Sequence, residues 1–144
     1  MYLKWILWTS IIFYLIACFL NAFKDTKNNK GMYKGGVCLF FGWMSFMFTD
    51  WFALIAWFAN ILYWISVINY DKTDLLFFVF SISSILSSCL AFFIKKLLIN
   101  EAGTYVPVKV SWGFYFWLTS MVMGGFYRYF IQYQDIINSL FNFF

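Results

Sequence analysis

The chain has 144 residues, of which 64% are hydrophobic and 11% charged, with a net charge of +4, whereas soluble domains run at about half apolar and about a quarter charged. So few charges cannot cover a water-facing surface, and four apolar stretches approach the ~20 residues that cross a bilayer. With no histidine, imidazole bases, histidine-ligated haem and most zinc sites are excluded. Cys18, Cys38 and Cys89 stand alone in apolar runs without CxxC spacing, which argues against a disulfide framework or metal cage and for buried free thiols.

The first predicted helix spans 5–23, after a stub carrying Lys4. "LIAC" at Leu15–Cys18 also fits a lipoprotein cleavage signal. Cleavage there would leave the following lysine-rich link outside the cell, against the positive-inside rule, so a retained helix is expected. "KDTKNNKGMYKGG", Lys24 to Gly36, reads as a solvated loop.

From Val37 to Asn69 the chain is apolar for 33 residues, about 50 Å as one helix against a hydrocarbon core of about 30 Å. The run must break. Thr49 and Asp50 are good N-cap residues for a spanning helix over 51–69, leaving 37–48 as an apolar segment, possible only as a re-entrant or protein-buried half-helix. A break at Ala59-Asn60 is the alternative.

"NYDKTD", Asn69 to Asp74, is a tight turn that makes its flanking helices antiparallel neighbours. A third helix is expected over 75–94, with Asp74 and Lys95-Lys96 matching its dipole. "NEAGTYVPVK", with the single proline Pro107, reads as a turn-rich link. A fourth helix follows over 110–127, closed by Arg128, and then an amphipathic tail over 131–144 whose apolar face holds Tyr133, Ile136, Ile137, Leu140, Phe141 and Phe144.

The fold class expected is therefore all-α: a polytopic four-transmembrane-helix bundle with a possible re-entrant half-helix and a C-terminal amphipathic helix. The first and third links carry seven of the ten Lys and Arg residues. That asymmetry places those links in the cytoplasm and both termini outside it.

Candidate functional residues follow from polarity inside apolar runs. Asp50 is either a cap or, at mid-membrane, a member of an ion or proton pathway. Asn60 is expected to hydrogen-bond across helices. Ser83, Ser87 and Ala91 recur every fourth residue on the third helix, as do Ser84 and Ser88. Such stripes let backbones approach, within the chain or at an oligomer or partner interface. Gly124-Gly125 offers a similar close-contact point or hinge. Glu101, in "NEAGTY", sits in a candidate recognition turn. Trp5, Trp8, Trp51, Trp64, Tyr70, Trp112, Tyr127 and Tyr129 form the aromatic belt of a membrane protein.

"GW" (Gly42, Trp43) with "AWFAN" (Ala56 to Asn60), "NEAGTY" (Asn100 to Tyr105) and "GFYFWLTS" (Gly113 to Ser120) resemble small four-helix bacterial membrane proteins of no assigned activity. Those relatives carry proline after the Ala-Asn pair, where this chain has Ile61. The resemblance implies a bacterial inner-membrane location and supplies no catalytic residues.

The six acidic residues are scattered singly, without acid–base spacing or a glycine-rich phosphate loop. The function expected is non-enzymatic: contact with a membrane partner, as in toxin-immunity or accessory-subunit proteins. A small oligomeric transporter or channel using Asp50, Asn60 and the third-helix serines is the alternative. The expected partners are the lipid bilayer and a membrane protein or further copies of the chain. No cofactor, metal or nucleic acid is expected.

Overall fold

The computed structural model describes residues 3–48, 50–72, 74–98 and 104–141. Five α-helices and four strands follow one another as α1 (Leu3–Phe19), β1 (Asn21–Asp25), β2 (Gly31–Lys34), α2 (Gly35–Phe41), α3 (Trp51–Ile68), α4 (Leu75–Cys89), β3 (Lys96–Leu98), β4 (Tyr105–Val110) and α5 (Trp112–Phe141). Tighter 3-10 turns extend α2 over Gly42–Phe48 and α4 over Leu90–Phe93.

The all-α expectation is overturned. The two links read as loops are hairpins, and they join into one antiparallel sheet in the order β2-β1-β4-β3. The joint is β1 on β4, with Phe23 opposite Val110, Lys24 opposite Lys109 and Asp25 opposite Val108. Alternation explains the strands. In β4, Val106, Val108 and Val110 turn inward while Tyr105, Pro107 and Lys109 turn outward. Pro107 is tolerated in an inner strand because β1 ends at Asp25, opposite Val108. Its missing N–H thus falls where β1 has already turned, and its carbonyl still accepts from the Thr26 N–H.

The expectation of four spanning helices is overturned as well. Among the described residues two helices, Trp51–Ile68 and Leu75–Phe93, are long and apolar enough to cross a membrane. Helix α1 is shorter than expected because the chain enters β1 at Asn21. The expected fourth helix and the amphipathic tail as far as Phe141 form one helix, α5, whose Ser, Gln, Arg and Tyr content dilutes its apolar character, while 142–144 lie outside the described residues.

Two apolar clusters organise the interior. One joins Leu7 and Tyr14 of α1, Ala59, Tyr63 and Val67 of α3, and Met121 and Tyr127 of α5. The other, beneath the sheet, joins Ala22, Phe23, Ala56, Ala91, Ile94, Val108 and Phe114. Glycines set the closest approaches along α5. A Cβ on Gly124 would lie 3.1 Å from Tyr63 Cε2, and one on Gly125 2.7 Å from Ile85 Cδ1, so α5 comes close to side chains of both α3 and α4 at this point.

Charge collects at the two ends of the bundle. Lys4 Nζ lies 5.7 Å over the Tyr70 ring, and Arg128 donates to the Lys72 carbonyl. These three cations sit by the α3–α4 turn. The other seven lysines lie in the sheet, in its β1–β2 turn or just before β3. Between the ends runs α3, 18 residues long, or about 27 Å at 1.5 Å per residue.

Candidate functional site

Beneath the sheet is a cavity of about 380 Å³, walled by α1, the 35–48 segment, α3, the turn after α4, the sheet and the start of α5. Its lining is mostly apolar and aromatic, with Phe23, Phe41, Ile94 and Phe114 among the wall residues. The 35–48 segment forms one side and acts as a cover. Helix α2 buries none of its residues, and Phe40, Phe46 and Met47 are exposed on its outer side. One polar tether holds it to α3, where the Trp57 indole N–H donates to the Leu39 carbonyl at 2.7 Å.

Asp50 and Asn60 both line this cavity. Asp50 is the N-cap of α3: its Oδ1 accepts from the Ala53 N–H at 3.1 Å. Its own N–H donates to the Ser45 carbonyl, which ends the 3-10 turn and starts the helix. Asn60 is buried in the floor. Its Oδ1 accepts from both the Tyr14 hydroxyl and the Trp117 indole N–H, each at 2.8 Å, and its Nδ2 donates to the Trp57 carbonyl. One amide thus ties α1, α3 and α5 together. A second tie lies deeper, where Ser10 Oγ donates to the Ser120 carbonyl at 2.6 Å and pairs with the Tyr63 hydroxyl at 2.7 Å. Tyr63 itself stacks on Tyr14.

The serines of α4 are elsewhere. Ser84 and Ser88 are buried and bond back to the Ser81 and Ile85 carbonyls of their own helix, while Ser83 and Ser87 are half-buried. The inward stripe is Ser81, Ser84 and Ser88, and it serves contacts within the chain: Ser81 Oγ faces Gly125 of α5. None of these serines lines the cavity. Glu101 lies outside the described residues.

Arg128 is buried at the opposite end of the bundle. Its Nε donates to Ser66 Oγ at 3.1 Å, one terminal nitrogen donates to the carbonyls of Ser66 and Asn69, and the other to that of Lys72. The guanidinium therefore closes the C-terminal end of α3, where orphan carbonyls and the helix dipole both favour a cation. The tight turn at 69–74 gave a local reason to expect a helix end there, but nothing in the sequence linked it to Arg128.

Cys18 and Cys38 line the cavity as free thiols. Comparisons with protein-family models, with curated proteins and with solved structures find no match for this chain.

Proposed function

We propose that this protein is embedded in the bacterial inner membrane and acts by contact with a membrane partner, as toxin-immunity and accessory-subunit proteins do. The observation that carries the reading is an inverted pattern of burial. Ser10, Ser84, Ser88 and Ser120 are fully buried, whereas Phe19, Phe40, Ile68 and Trp112 are each more than 70% exposed. In water such an arrangement would waste the hydrophobic effect. In lipid it is the expected one, because small polar residues pack helices together while large apolar ones face the hydrocarbon. The segregation of cations to the two ends supports the same placement, with the seven-lysine sheet end facing the cytoplasm.

The polar interior favours contact over transport. Asn60, Ser10, Ser84 and Ser88 spend their hydrogen bonds on one another's helices or on their own backbone. The α4 serines, which a transport path would enlist, do not share the cavity with Asp50 and Asn60.

The test has two arms. Alkaline carbonate washing of membranes from expressing cells should leave the protein in the pellet. Crosslinking in those membranes, followed by extraction in mild detergent, should recover one stoichiometric membrane partner, and cells should gain protection from a membrane-targeted toxin encoded beside the gene. Release by carbonate would end the membrane placement, while retention without a partner or protection would end the contact reading.

A further inference from the structure

We propose that the cavity beneath the sheet is a lipid-binding site that holds one acyl chain of an anionic phospholipid. The inference rests on the membrane placement proposed above. Its size, about 380 Å³, falls among ligand sites of about 300–1,000 Å³. Its chemistry selects hydrocarbon over water. A confined water needs two to four polar partners, and the Asn60 amide in the floor is already committed to Tyr14, Trp117 and Trp57, which leaves a lining that is mostly apolar apart from Asp50, Ser45, Tyr33 and Lys96.

The route of entry is lateral. Val37 and Phe41 of the covering segment line the cavity and are also exposed on the outer surface, at 40% and 60%. The apolar surface that faces lipid is therefore continuous with the cavity wall. The cover is a short segment in which α2 fully buries no residue, tied to α3 by the Trp57 indole on Leu39 and by the Asp50 N–H on Ser45.

The headgroup is assigned by charge. Lys96 lines the cavity, is exposed at its rim, and holds its ammonium 4.8 Å over the ring of Tyr105, another lining residue. A cation at the mouth of an apolar cavity, on the lysine-bearing end of the bundle, suits a phosphate.

The test uses the full chain in phosphatidylcholine vesicles doped with phosphatidylglycerol carrying a diazirine in its acyl chain. After irradiation, peptide mass spectrometry should find label on Ala56, Ala91, Ile94 and Phe114 in the cavity wall, as well as on Leu76, Val79 and Leu86 of the outer face of α4. Filling the cavity with Ala56→Trp, or more gently with Ala53→Phe, should remove the first set and keep the second, which doubles as the control for folding and insertion. Label confined to α4 would overturn the lipid site while leaving the membrane placement standing. No label on either set would overturn both. Equal labelling of the wall by a phosphatidylcholine probe, or by phosphatidylglycerol on a Lys96→Gln variant, would overturn the anionic headgroup.

Discussion

Removing the Asn60 carboxamide should loosen the whole bundle, because three helices meet on it. In Asn60→Ala the Trp117 indole N–H and the Tyr14 hydroxyl both lose their acceptor. An indole N–H is donor-only and cannot turn to find another role, whereas a hydroxyl can rotate. A buried donor left unmet costs about 1–3 kcal/mol, so two give an upper figure of about 6 kcal/mol. Helix-to-helix bonds in membranes run lower, at about 0.6 kcal/mol each, which sets a floor near 1 kcal/mol. We expect a loss of about 2–4 kcal/mol. The assay is reversible unfolding in mixed micelles, run as a double-mutant cycle with Trp117→Phe. Coupling of about 1 kcal/mol between the two sites is expected. An Asn60→Ala variant as stable as wild type, or strict additivity with Trp117→Phe, would refute the tie.

Arg128→Gln should cost about 3 kcal/mol, since hydrogen bonds to a charged donor are worth about 1.5–3 kcal/mol each and do not add fully; proteolysis in the 69–74 turn should accelerate, and Arg128→Lys should restore only part because a point charge cannot fork. Gly125→Ala should be near neutral in detergent melting, as the flexible end of Ile85 can yield and alanine gains about 1 kcal/mol of helix propensity. Gly124→Ala should lower Tm despite its longer contact, because Tyr63 is fixed by Ser10 and Tyr14. Single cysteines replacing Lys27 and Lys109 should react with a membrane-impermeant maleimide from the same side of the membrane; reaction from opposite sides would contradict the sheet.

The helix boundaries that could be read locally were those with chemical punctuation. Asp50 caps α3 and the 69–74 turn ends it, both signalled by polar residues inside apolar runs. The sheet was hidden because its decisive contacts are distant in sequence: Phe23 pairs with Val110 across more than eighty residues. A period-two signal was present in "YVPVKV", where valines alternate with Tyr105, Pro107 and Lys109, but proline and the neighbouring Asn-Glu-Ala-Gly argued for a turn. The lysines and glycines of 24–36 concealed a hairpin in the same way, since composition reports solvation and not pairing. The cavity had no sequence signature at all. It depends on a short apolar segment lying over α3 without filling the space beneath it. Asn60 was legible as a polar group needing partners, and only the fold identifies Tyr14 and Trp117.

The register of that sheet shows which force sets it. Lys24 directly opposite Lys109 is a like-charge pair, unfavourable by about 0.2–1 kcal/mol. A slip of either strand by one residue would relieve it but turn that strand's inward set outward, Phe23 if β1 slips or Val108 if β4 does, losing about 1.5–3 kcal/mol for each buried side chain. Burial wins, and the lysines are left together on the outer face. On the membrane placement proposed above, the same pairing constrains how the chain would thread a bilayer. Strands β1 and β4 can bond only if both links lie on one side, so the residues between β2 and β3 must cross an even number of times. Helices α3 and α4, long and apolar enough to span, would supply two crossings. The 35–48 segment would therefore enter and leave on the side of the sheet, which agrees with its place as a cover over the cavity and would turn its exposed aromatic side to lipid.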